Sequence, residues 1–238
     1  MTRIIGGMLV KNEADRWILE AFNQMRHICD KVVILDDCST DNTVEIAKNY
    51  NFEVLYSNKS YWEIDELKQR KRLFNALWYT ARIDDLILIL DADEILHGNW
   101  DVIKDGLLGI SNRYKTVTFK LYDMWSDTQY RSDKYWNAHE RDWPMAVRKT
   151  VLGINQWNEK GLHCGRFPIN KMVCPISTSL KIKHMGWSTK KDREEKYKRY
   201  MRIDPNGEYG ILEQYLSILD PDPKLMLFEE VFNFEVNQ

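Results

Sequence analysis

Four apolar runs separated by amphipathic stretches dominate the first hundred residues and leave few ways to fold. "RIIGGMLV", "KVVILDD", "FEVLYS" and "LILILDADE" read as strands. Runs as continuously apolar as the first, second and fourth suit strands buried on both faces. Between them, "KNEADRWILEAFNQMRHIC" places Trp17, Ile18, Ala21, Phe22, Met25 and Ile28 on one helical face. Asn12, with Glu13 and Asp15 just after it, suits the start of that helix. "STDNTVEIAKNY" reads as a loop entering a short helix. "EIDELKQRKRLFNALWYTARI" reads as a long helix with Leu67, Leu73, Phe74, Leu77 and Trp78 spaced for burial. This alternation predicts an α/β fold: a mostly parallel sheet flanked by helices on both faces.

After Gly98 the rhythm loosens. "NWDVIKDGLLGI" and "STKKDREEKYKRYMRID" read as helices, and "KTVTFKLYDMW", "AVRKTVLGI" and "SLKIKHMGW" as strands. Aromatic, weakly periodic stretches lie between them, and long irregular segments of this kind usually carry function. With no repeat and no convincing linker, residues 1–238 read as one domain. Residues 1–98 form its regular half; residues 99–238 form an irregular half ending in a helical tail.

Composition removes several classes. The formal net charge of -2 gives no footprint for nucleic-acid binding. The four cysteines, Cys29, Cys38, Cys164 and Cys174, show no close metal or redox spacing. Reduced thiols, a first segment unlike a signal peptide and no bilayer-length apolar run lead us to expect a cytoplasmic protein. Peripheral membrane contact stays open. The basic segment "KKDREEKYKRYMR" reads by default as a solvated helix face, because acids interrupt it. Nine tryptophans and twelve tyrosines serve packing first, and some could form stacking surfaces for a sugar ring.

In an open α/β sheet, ligands bind beyond the carboxyl ends of the parallel strands. Two of the expected strands end there in acids: Asp36 and Asp37, then Asp91 and Asp93. In extended chain, residues i and i+2 share a face, so Asp91 and Asp93 would converge, while Glu94 would point away. Paired carboxylates call for a cation, and hard oxygen ligands suit Mg2+ or Mn2+ holding a substrate's phosphates.

"GGMLVKNEADRWILEAF", "VVILDDCSTDNTVEIAKNY" and "LILILDADEIL" together resemble the nucleotide-sugar-binding half of glycosyltransferase family 2, the inverting enzymes of the Rossmann-like GT-A fold. The resemblance covers roughly residues 3–96. "LDDCSTDNT" departs from the family pattern at two glycine positions, Cys38 and Asn42. Asn tolerates left-handed backbone, and Cys38 suggests a loop that does not need glycine there.

The resemblance implies a nucleotide-sugar donor, UDP-linked by default, and a hydroxyl of a glycan, glycolipid or glycoprotein as acceptor, in polysaccharide or glycan biosynthesis. It implies that Asp36 or Asp37 binds the base or ribose, with Val10, Asn12 and Glu13 lining the same pocket. Arg70, or Arg72 in its place, would approach the diphosphate. Asp91 would face the ribose or the metal's water shell, Asp93 would ligate Mn2+ or Mg2+, and His184 would supply a further ligand. An inverting displacement needs one base opposite the leaving group. Candidates are Glu159 first, then Asp142, with His163 as the replacement for a missing carboxylate. Trp125, Trp136, Trp157 and Trp187 are candidate acceptor platforms. Two other classes are weighed: a sugar nucleotidyltransferase, disfavoured because "IIGGMLVKNEADR" lacks an extended glycine-rich basic loop, and a non-catalytic carbohydrate-binding relative.

Overall fold

The computed structural model describes residues 2–62, 64–150, 154–160 and 163–237. β1 (Ile4–Val10), β2 (Lys31–Asp36), β3 (Glu53–Tyr56) and β4 (Leu86–Ile89) pair in parallel in the order β4-β1-β2-β3. Every residue of β1 and β4 is buried, as their unbroken apolar sequences require. α1 (Ile18–Ile28) and α2 (Thr43–Asn49) pack on one face of this sheet, and α3 (Glu66–Thr80) packs on the other. Alternate residues of β1 divide between them, Ile4 and Met8 to the α1 side, Ile5 and Leu9 to the α3 side. Gly6 and Gly7 allow the close approach. A Cβ at Gly6 would lie 2.6 Å from Cys29 Sγ, and one at Gly7 would lie 2.3 Å from a Leu77 methyl.

The second half extends the same sheet. β6 (Thr116–Asp123), β8 (Trp143–Arg148) and β9 (Pro175–His184) join β4 through an antiparallel β4–β8 pair. The short β5 (Glu94–Leu96) pairs antiparallel with the end of β9, and this brings His184 opposite Glu94. α4 (Trp100–Gly109) is capped by Asn99, whose side chain accepts from Asp101 N and Val102 N. α5 (Lys190–Ile203) is capped by Thr189, which accepts from Asp192 N at 3.1 Å. The tail is not all helix: α6 (Leu212–Leu216) is followed by β10 (Leu225–Leu227), paired with β7 (Gln129–Arg131), and β11 (Val236–Asn237), paired with β9.

Three local expectations need correction. α1 begins at Ile18, not at Asn12. Asn12 instead sits at φ 54, and its side-chain oxygen accepts from Thr40 N at 2.8 Å, so it ties the loop after β1 to the loop after β2. Cys38 adopts φ 61, so the position does demand the left-handed backbone that glycine gives freely. Asn42, at φ -80, does not. The expected strand "AVRKTVLGI" runs only to Arg148, and its residues 151–153 lie outside the described residues.

Candidate active site

The chain doubles back at β1, which has β2 on one side and β4 on the other, so a crevice opens beyond their carboxyl ends. Asp91 and Asp93 stand at its edge, on a turn and not on the strand itself. β4 ends at Ile89, and Glu94 N donates to Asp91 O at 3.1 Å to close the turn. Alternation along a strand therefore does not govern these side chains. Glu94 folds back, accepting from Asp91 N at 2.9 Å, and is only 1 % exposed.

The two aspartates meet different cations. Arg70 grips Asp91 with two hydrogen bonds, at 2.7 and 3.1 Å, while also binding Glu66. Arg166 lies 3.5 Å from Asp91 and donates to both oxygens of Glu94. Burial pushes Asp91 up, but the two guanidiniums outweigh it and bring the group down to about 2. Asp93 Oδ2 lies 3.2 Å from Lys196 Nζ and 3.5 Å from His184 Nε2. Burial again opposes ionisation, yet Lys196 and His184 hold Asp93 well below the usual carboxylate range. His184 is fixed from behind, because its Nδ1 bonds Asp123 Oδ1 at 2.7 Å. Burial lowers its pKa, but Asp93 and Asp123 raise it to about 9. Gly186 leaves the space between these groups open. A Cβ there would fall 2.1 Å from both Asp93 Oδ2 and Lys196 Nζ.

Of the first-half residues, Val10 is buried and its carbonyl accepts from Asp37 N at 2.9 Å. Glu13 is buried beside Arg16, and its Oε2 accepts no hydrogen bond. Burial pushes Glu13 up to about 8, with Asp93 adding and Arg16 opposing. Asp36 accepts from Ser39 N at 3.1 Å. Asp37 is fully occupied: Ser60 Oγ, Tyr61 N, Trp62 N and Gln69 Nε2 all donate to it. It organises the loop before α3. Arg72 is turned away, bonding Ser57 Oγ and Tyr56 O.

Beside Asp123 and His184 a cavity of about 270 Å³ opens, walled by Trp136, Trp143, Trp187, Tyr200 and Tyr215, with His163 on the same wall. Trp136 and Trp187 line the cavity but are only 1 % and 7 % exposed, packed against each other edge-to-face. Trp125 packs edge-on against Trp136, and Trp157 packs against Phe74 away from it. The structure does not bring Glu159 or Asp142 to the cavity lining. Glu159 pairs with Lys71 at 2.8 Å on the surface, and Asp142 pairs with Lys120 at 2.9 Å. Both are solvated charges because their loops run over the outside of the fold.

Sequence reasoning missed Arg166 and Lys196. Arg166 sits in an aperiodic stretch beside Gly165, at φ 82. Lys196 belongs to the segment taken for a solvated face. One side of α5 instead covers the site: Lys196 lies over the Trp187 ring at 4.3 Å, and Arg199 over Trp62 at 4.6 Å.

No helix among the described residues is long and apolar enough to cross a membrane. Residues 7–102 match the pattern of glycosyl transferase family 2. An uncharacterized glycosyltransferase of Rickettsia prowazekii is 27% identical over 141 residues, which is 56% of this chain and 41% of the relative. One from Rickettsia felis is 32% identical over 103 residues, 40% of this chain and 30% of the relative. The chain thus matches less than half the length of these curated relatives. Among solved structures, residues 1–349 of S. aureus TarS superpose with a TM-score of 0.51 at 16% identity, covering 92% of this chain and 69% of that one. That likeness shows a shared fold. Residues 7–102 thus resemble glycosyl transferase family 2, and the curled α/β sheet has the GT-A architecture of the solved neighbour.

Proposed function

We propose that this protein transfers a sugar from a nucleoside diphosphate sugar to a hydroxyl of a carbohydrate-containing acceptor, with inversion and with a divalent ion. The observation that carries the reading is the Asp93–His184 pair, 3.5 Å apart at the carboxyl edge of the sheet and next to an aromatic cavity. Asp93 Oδ2 and His184 Nε2 face each other as two ligands would, and Asp123 orients the imidazole from behind. An oxygen and an imidazole suit Mn2+ better than Mg2+. Among the described residues no group of three His, Cys, Asp or Glu side chains is placed to hold a metal. Water and diphosphate oxygens would complete the shell. His184 would give up its Nε2 proton to serve.

When bound, the ion supplies charge stabilisation to the departing diphosphate. The chain's own residues do the rest. Lys196, already beside Asp93, lies where negative charge develops on the leaving oxygens. Arg70 and Arg166 hold the Asp91–Asp93 turn in one conformation and keep Asp91 ionised toward the ribose. Glu13, Asn12 and Asp36 edge the nucleotide pocket, with Asp37 shaping its wall. The aromatic wall that includes Trp136, Trp143 and Trp187 would give the acceptor sugar an apolar lining to pack against.

TarS has also been crystallised with UDP, which makes UDP-sugars the first donors to try. A panel of UDP-sugars with Mn2+ should show UDP release that chelation with EDTA abolishes. UDP release unaffected by EDTA would remove the metal from the account, and none from any donor would remove the transfer.

A further inference from the structure

An inverting transfer needs a group to take the acceptor proton, and neither Glu159 nor Asp142 lines the cavity. Lys134 and Arg141, which do, are cations. Burial pushes the phenols of Tyr200 and Tyr215 up, and the Tyr135 hydroxyl, also on the wall, accepts from Lys134 Nζ at 3.4 Å. Asp123, His184 and His163 are left. Asp123 Oδ1 accepts from both His184 Nδ1, at 2.7 Å, and Trp187 Nε1, at 3.1 Å. His184 in turn touches Asp93. Both therefore belong to the leaving-group side, and the base of an inverting displacement stands opposite.

His163 is held differently. Its Nε2 is 3.0 Å from Tyr215 Oη, which is 3.0 Å from Asp204 Oδ2. Asp204 also accepts from the backbone N–H groups of Glu208, Tyr209 and Gly210. Burial raises this carboxyl, yet the hydrogen bonds hold it below its ordinary value, so it is ionised and can only accept. The Tyr215 hydroxyl must then donate to Asp204, which leaves its oxygen to accept from His163 Nε2–H. That places the ring proton on Nε2 and a lone pair on Nδ1, which has no hydrogen-bond partner among the described residues. Gly210 makes room for the relay: a Cβ there would fall 1.9 Å from Tyr215 Oη. The His163 backbone sits at φ 53, a conformation its surroundings must impose.

We propose that His163 Nδ1 takes the acceptor hydroxyl proton, with Tyr215 and Asp204 as positioning residues that fix its tautomer. The assignment rests on the glycosyl-transfer reading above. As the acceptor oxygen bonds to the anomeric carbon, the bond from that carbon to the diphosphate breaks. Its electron pair leaves on the phosphate oxygen, and the acceptor proton passes to Nδ1 and later to solvent. His163 is an exposed residue on the cavity wall, and desolvation by its surroundings lowers its pKa. Arg199 and Lys160 add to that lowering, while Glu66 and Asp204 oppose it. The ring is neutral at physiological pH.

The test combines UDP release from UDP-sugars with Mn2+, UDP binding, and 15N spectra of the histidine rings. His163→Gln should lower kcat by roughly 100-fold or more and abolish the acid limb of the pH profile. UDP affinity should stay within about twofold, since the assignment puts His163 on the acceptor side of the reaction. Tyr215→Phe should lower kcat about tenfold, shift the acid limb, and turn a single Nε2–H tautomer into a mixture. A wild-type His163 ring protonated on Nδ1, or a His163→Gln variant with unchanged kcat and acid limb, overturns the assignment alone. A wild type that binds no UDP and releases none from any donor overturns the transfer reading, and the base with it.

Discussion

The two halves of this molecule build one site by opposite means. The first half supplies acids at positions that regular structure dictates: the ends of β2 and β4 and the loop after β1. Beside Arg70 of the first half, the second half supplies the cations Arg166, His184 and Lys196, from a loop, a strand end and a helix with no shared pattern. They converge because carboxylates in a partly dry crevice require partners. A regular scaffold creates the electrostatic demand, and the irregular half answers it.

The largest expected effect comes from cutting the most buried of these cross-half contacts. Arg166→Met leaves the buried Glu94 carboxyl without its cation, and should cost about 3–5 kcal/mol in chemical denaturation. A loss under about 1 kcal/mol would mean the halves are not coupled there. Gly186→Ala comes next. Its Cβ would part Asp93 from Lys196, at about 1–3 kcal/mol as for other overpacked sites, and Mn2+-assisted UDP binding should weaken with it. Unchanged UDP binding would show that the cradle is not used.

Glu13 sharpens the comparison through pH. Burial raises its folded pKa from 4.5 to about 8. Between those values the folded chain holds a proton that the unfolded chain has lost, so this contribution is fully present below pH 4.5 and is lost as pH rises through 8. Glu13→Gln should flatten the fall in stability across that window. An equally steep fall in the variant would assign it to other groups. Smallest is Glu159→Gln, which breaks an exposed pair with Lys71 and should change stability by less than about 1 kcal/mol, leaving UDP release intact. A large loss of release would return Glu159 to the reaction.

The parallel core was legible because strand burial on both faces writes itself as unbroken apolar runs, as in β1 and β4. The acids of the site were legible for the same reason, since they interrupt those runs. His184 could be found because it ends a strand. Arg166 and Lys196 could not: their partners are 72 and 103 residues away, and nothing local distinguishes them from surface charge. The error at Cys38 has a similar root, since a left-handed backbone imposed by the surrounding loops leaves no mark when glycine is absent. Glu159 and Asp142 ranked ahead of His163 as bases because sequence gives chemistry without placement, and only His163 of the three lines the cavity wall.

The central claim is that Asp93 and His184 together make a metal-assisted diphosphate site. Calorimetric titration of UDP into the wild type and Asp93→Ala, each with Mn2+ and with EDTA, tests it directly. Binding to the wild type should depend on Mn2+, and the variant should lose affinity by about 10- to 100-fold or more. Mn2+-independent binding, or equal affinity in Asp93→Ala, would contradict the account.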